Sequence, residues 1–343
     1  MELALRARFS LLLIVLLFST GSARTPVFEI VDRIAGPDGF YDYVTVDPGQ
    51  RRVFVGRSNG VTRIDIDTRV VRGSWISSDA VAAVVAVPET MLAVATNPER
   101  DGVTIFDRLS GKIHSHVDTG KEPDGAMFDP FSKHVFVMNG ESADTSVIEP
   151  VSGKNVGTIG LGGKPEAGVS DGEGRLFINI EDKAEIAVID AERMAVVAHY
   201  PLRGCDEPTG IAYDAVSKTL VSVCHNGVAK LIDARSGAER GSFPIAGAAD
   251  GVVFDASRRL LFVPCDAGTL VIASLGADGR ARIVQRLKTQ EGARTAALDP
   301  QSGRVYLPVS RYAKAADGSR RENADGWWER VPGTFAVLVV DKR

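Results

Sequence analysis

Three cysteines in 343 residues are too few for a disulfide framework to carry the fold. There is no C-x-x-C-H run for covalent haem attachment and no G-x-x-x-x-G-K-[ST] loop to cradle nucleotide phosphates. An excess of positive charge is missing too: 40 Lys and Arg stand against 44 Asp and Glu, a balance that does not attract phosphate backbones and argues against nucleic acid as a partner. No stretch of the body of the chain carries the 3.6-residue apolar period of an amphipathic helix. What is abundant is turn material, with 35 glycines and 16 prolines set among 44% hydrophobic residues.

The apolar run at residues 11–18 follows Arg6 and Arg8 and precedes the small-residue string TGSA, which offers a cleavage point after Ala23. It is too short to span a bilayer and has the flanks of a signal peptide, so residues 1–23 read as a leader and 24–343 as the exported chain. The bland alternative is a retained anchor. No cysteine follows the cleavage point, which argues against a lipid anchor there. Removing Glu2, Arg6 and Arg8 takes the formal net charge from −4 to −5. The expected location is periplasmic or secreted, with no membrane span after cleavage.

The rest of the chain repeats. An acid-and-turn pair recurs at Asp47-Pro48, Asp129-Pro130, Asp171-Gly172, Asp214-Ala215, Asp255-Ala256 and Asp299-Pro300, with Val87-Pro88 as a degenerate copy. Successive steps are 40, 42, 42, 43, 41 and 44 residues. A second acid closes an alternating strand at Asp65, Asp107, Glu149, Asp190 and Asp233, and an aromatic marks the strand between at Phe54, Phe136, Phe177, Phe262 and Tyr306. Four short strands of period two every forty-odd residues are the signature of a propeller blade. The last unit has only three strands, and the alternating segment 27–34, VFEIVDRI, supplies the missing outer one. The expectation is an all-β, seven-bladed β-propeller closed by its N-terminal strand pairing near residues 334–341.

The segments VSGKNVGTIGLGGKPE, INIEDKAEIAVID, CDEPTGIAYDA and GARTAALDPQSGRVYLP together resemble the bacterial YVTN-repeat (YncE-like) β-propellers, over essentially the whole exported chain. That resemblance implies the fold and export, and it implies no single activity.

In such a ring the loops between blades and those between second and third strands share one face, the top. This places the stretch VSVCHNG, 221–227, at the top rim of blade five, with Cys205 in the connection entering the same blade. Two exported thiols placed together read as a disulfide, Cys205–Cys224, and the resemblance implies the same pairing through its CxEPTG and C-x-N contexts. A metal cluster of Cys205, Cys224, Cys265 and His225 is the alternative, although its spacing matches no established site. Cys265 otherwise reads as a buried free thiol. In an extended backbone His225 points away from Cys224, so the two cannot act as thiolate and base. GVSDG, 168–172, fits G-x-S-x-G but falls between two strands rather than at a strand-to-helix elbow. His114 and His116 share one face of an outermost strand, where solvation is the usual state.

Five residues before each blade's first acid lies the top of its channel-lining strand. That register holds Asp42, Ala82, Asp124, Glu166, Thr209, Asp250 and Arg294. Small neighbours, Gly125, Ala167, Gly210 and Gly251, suit strands converging on an axis, but packing does not require four acids. Either water fills the mouth and solvates them, or the ring is a funnel for a cation, an amine or a hydroxyl-rich ligand, with Arg294 contacting an anionic end. Carboxylates held together would raise one another's pKa. The segment 311–333 replaces a short top loop in the last blade, and adjacent Trp327 and Trp328 cannot both point the same way. One packs down on the top face while the other meets a partner, or the loop is anchored surface with no ligand role.

The reading with most support is a binding scaffold that presents its top face and channel mouth to a small polar or cationic ligand or to a periplasmic protein. The alternatives are a lactonase-like metal-dependent hydrolase using the acidic ring, and an accessory subunit of a periplasmic redox or metal-handling system. No cofactor is expected. The one candidate for such a role is a divalent cation at the channel mouth.

Overall fold

The computed structural model describes residues 27–323 and 328–343. Within them 28 strands form seven four-stranded sheets, antiparallel throughout. Blades 1 to 6 take the consecutive stretches 41–76, 84–118, 123–160, 165–201, 208–244 and 253–288. Blade 7 consists of Ala297–Leu298, Val305–Val309 and Ala336–Lys342, with Phe28–Ala35 from the other end of the chain as its outermost strand. Phe28 lies opposite Lys342 and Ala35 opposite Ala336, with a bulge between Ile30 and Asp32. The closure read from the sequence is therefore present, one to two residues further along. No helix among the described residues is long and apolar enough to cross a membrane.

The alternating pattern sorts by strand. Middle strands such as Arg52–Arg57, Thr219–Cys224 and Leu260–Cys265 are buried at every residue, because both faces of a blade are covered by its neighbours. Outermost strands such as Ile113–Asp118 are mostly exposed, and His114 and His116 lie on this one with exposed side chains. The repeated aromatics at Phe54, Phe136, Phe177, Phe262 and Tyr306 are all buried, each contributing about 1.5–3 kcal/mol by leaving water. They pack across blade boundaries: Phe54 meets Phe106 of the next blade edge to face at 6.2 Å, and Phe262 meets Phe28 at 5.2 Å. The glycines beside the channel register sit where inner strands crowd. A Cβ on Gly210 would lie 2.6 Å from the Gly251 Cα, and one on Gly125 would lie 3.0 Å from the Glu166 carbonyl oxygen.

The acids of the first landmark do more than build turns. Asp129 accepts from the backbone and hydroxyl of Ser132, as a turn acid should, and also from Ser170 Oγ of blade 4 at 2.6 Å. Arg108 of blade 2 reaches Asp47 of blade 1 at 2.8 Å. Arg259 of blade 6 reaches Asp214 of blade 5 at 2.6 Å, and Arg51 of blade 1 reaches Asp299 of blade 7 at 2.8 Å. Four of the landmark acids are thus clasps that each blade closes on the one before it. Ser170, the serine of GVSDG, is one of these clasps and ends a strand with no helix after it.

Cys205 and Cys224 form a disulfide with their Cα atoms 5.4 Å apart, both half-cystines buried at the top of blade 5. Cys265 is a free, buried thiol, and burial pushes its pKa up to about 11, out of the reactive range. The disulfide removes two of the four groups of the alternative metal cluster.

Candidate functional site

The channel register opens on the top face, and a local irregularity equips it. In blades 1, 3, 4 and 5 the ladder between the first two strands breaks at that position: between Tyr41 and Val44, Pro123 and Ala126, Pro165 and Gly168, and Pro208 and Ile211. In blades 2, 6 and 7 the inner strand starts only after it, at Val84, Val253 and Ala297. A break of this kind re-aims side chains that regular pleating would send to opposite faces.

The ring residues consequently fall into two groups. Arg294 bridges Asp250, at 2.9 Å, and Asp42, at 3.5 Å. Its guanidinium is spent inside the ring, so it is not the free contact for an anionic ligand that its register suggested. Asp124 and Glu166 have no such cation. Glu166 instead accepts a hydrogen bond from the Tyr43 hydroxyl at 2.9 Å. Tyr43 follows Asp42 directly, and strict alternation hides it; the break at Tyr41/Val44 lets both serve the mouth.

Thr209 leaves the set. It is 4% exposed, and its hydroxyl donates to the Ala249 carbonyl at 2.6 Å, tying blade 5 to blade 6. Ala82 lines the mouth without offering a polar group. His225 is exposed at the rim, 3.5 Å from Glu207.

Burial governs the charge state. It pushes Asp42 up to about 6, against the pull of Arg294, and Glu166 up to about 8, with Asp250 adding to the rise and Tyr43 opposing it. Asp124 is held well above the carboxylate range by burial and then by Glu166. Burial raises Asp250 as well, Arg294 pulling the other way. With Glu166 pushed up to about 8, a proton held there near neutral pH is one that a bound cation could displace.

The described residues of the segment 311–333 meet this opening, with Tyr312, Arg320 and 328–332 on its walls. The segment's own backbone pairs Tyr312 with Arg330, Lys314 with Arg320, and Glu322 with Trp328. Arg320 binds Asp266 and, at 2.8 Å, Glu291; Lys314 adds a 2.9 Å pair to Glu291. Gly333 N donates to Asp38 at 2.7 Å. So anchored, residues 328–332 divide the mouth into two cavities. One of about 710 Å³ is lined by Asp42, Asp124, Glu166 and Lys164; one of about 320 Å³ is lined by His225, Asp250, Asp266 and Arg294. Phe40, Trp328 and Arg330 line both. Trp328 is 43% exposed, and Trp327 lies outside the described residues. Phe40, Tyr43 and Arg330 were not legible as site residues: two are displaced by loop and bulge geometry, and the third sits in the inserted loop. Among the described residues no three His, Cys, Asp or Glu side chains converge as metal ligands.

No family model matches the chain, and no curated protein matches it. Among solved structures it is similar to a Kuenenia stuttgartiensis hydrazine synthase chain, with a TM-score of 0.69 and 17% sequence identity over 79% of this chain and 92% of that one. At that identity the likeness shows the β-propeller fold and nothing of the chemistry.

Proposed function

We propose that this chain is an exported binding scaffold of the YVTN-repeat type, made of a 1–23 leader and a propeller domain over 24–343. It takes a small ligand with an amine or other cationic group into the larger cavity of the channel mouth. The observation that carries the reading is the pairing of Asp124 and Glu166 in a walled cavity of about 710 Å³ without a basic side chain bonded to either. Such a site has desolvated its carboxylates, and a cation entering it recovers that cost. Export is supported by the apolar leader and by the disulfide. An N-terminus beginning at Arg24 in protein from the periplasm or culture medium is the expected result.

The ligand reading is tested by calorimetric titration with small primary amines and with divalent cations. Binding should strengthen as pH rises from about 6 to about 8, where the ring loses its protons, and should vanish in the Asp124→Asn/Glu166→Gln double variant. If the wild-type protein binds none of these, or the double variant binds them equally well, the working surface is elsewhere.

A further inference from the structure

We infer that the ligand also carries an anionic group, and that Arg330 receives it. The inference rests on the mouth being the binding site and adds the second pole. Four basic side chains besides His225 line the two cavities. Arg294 is paired with Asp250 and Asp42, Arg320 with Asp266 and Glu291, and Lys164 with Glu181 at 2.6 Å. Arg330 alone among the described residues of this group makes no ion pair with a carboxylate.

It is nevertheless held firmly. Its guanidinium lies 4.6 Å from the centre of the Phe40 ring, 5.1 Å from that of Tyr41 and 5.7 Å from that of Tyr312. Its backbone is fixed by the bridge to Tyr312. The Nε is buried with no acceptor, which leaves the Nη edge as the one it presents to the cavities. A planar cation stacked on aromatic faces, with one edge open, is preorganised for two parallel bonds to a carboxylate. The aromatic faces supply attraction but accept no N–H bond in the guanidinium plane.

The same cavity of about 710 Å³ thus carries a donor pole at Arg330 and an acceptor pole at Asp124 and Glu166, with Phe40 and Trp328 as apolar wall. A molecule matching both poles is a zwitterion of the amino-carboxylate class with an apolar side group. An amine lacking the carboxylate would meet only half the site.

Three probes sharing a phenyl group separate the poles: phenylalanine, phenethylamine and 3-phenylpropionate, titrated by calorimetry into the full exported chain. Phenylalanine should bind at least about ten-fold more tightly than phenethylamine. Arg330→Gln should erase that advantage while phenethylamine still binds, which also reports that the mouth is still formed, and Arg330→Lys should restore part of it. Equal affinities for phenylalanine and phenethylamine in the wild type, or an advantage that survives Arg330→Gln, overturn the inference and leave the amine reading standing. Binding of 3-phenylpropionate that depends on Arg330, with no amine bound, upholds the Arg330 assignment and overturns the acidic pole. If none of the three binds, both fall.

Discussion

Arg294 stands 2.9 Å from Asp250 and 3.5 Å from Asp42, so two of the four ring acids share one cation and the other two have none bonded to them. The consequence for stability has a definite sign. A carboxyl whose folded pKa lies above its unfolded one contributes fully below the unfolded value, and that contribution is lost as pH rises through the folded value. For Glu166 the window runs from the ordinary carboxylate range up to about 8. Glu166→Gln keeps a carbonyl oxygen for Tyr43 and removes the charge. Its melting temperature should match the wild type at pH about 5 and exceed it above pH 8. Calorimetric melts across that range check it. A variant less stable than the wild type at high pH would mean that the ionised carboxylate is structurally satisfied.

At the scale of strands and turns, the landmark acids illustrate what the sequence discloses and what it conceals. The spacing from Asp47 to Asp299 was enough to count blades, because a turn acid followed by a serine is a local device. Its second use, as the acceptor for the next blade, depends on neighbours such as Arg259, 45 residues from Asp214. Nothing local marks Arg259 as that partner. The same limit hid the Arg294–Asp42 contact, which spans 252 residues and exists only in a closed ring. Thr209 shows the converse: its position in the repeat says nothing of the Ala249 carbonyl in the adjoining blade that takes its hydroxyl.

Two outcomes follow for these elements. Asp214 is buried and accepts from Arg259 and from Ser217, whose bonds outweigh burial and hold its carboxyl below the usual range. Asp214→Ala strips those partners and leaves Arg259 unpaired. It should cost about 2–4 kcal/mol, less than a fully buried pair because Arg259 is 26% exposed. Asp278→Ala, at an exposed pair 4.0 Å apart, should change nothing measurable. Urea unfolding of both variants gives the comparison, and equal losses would refute the clasp. Separately, the Cys205–Cys224 bridge closes a separation of 19 residues, worth about 3 kcal/mol in the chain-entropy model. Replacing both cysteines by serine should lower stability by about that amount without loosening the ring.

For the whole molecule the decisive element is Phe28–Ala35. A propeller has no end once this strand is in place, because it covers the edge of Ala336–Lys342 and turns seven blades into one cooperative ring. The strand does not rely on its ladder alone. Phe28 is 1% exposed, sits edge-on to Phe262 of blade 6, and its backbone N–H and C=O are both bonded to the Gln285 side chain at 2.8 Å. It therefore locks blade 7 to blade 6 as well as completing blade 7. Phe28→Ala should cost about 3–5 kcal/mol, the usual range for truncating a buried phenylalanine. Deleting residues 24–36 should cost more, since it unpairs a full edge and bares that apolar socket to solvent. The deletion should also broaden the thermal transition, because blade 7 can then open without the rest. Adding a synthetic peptide of residues 27–36 to the truncated protein should restore part of the melting temperature, in proportion to peptide concentration. A truncated protein that melts as sharply and as high as the full chain would show that the ring is held by its clasps, and that the terminal strand merely decorates it.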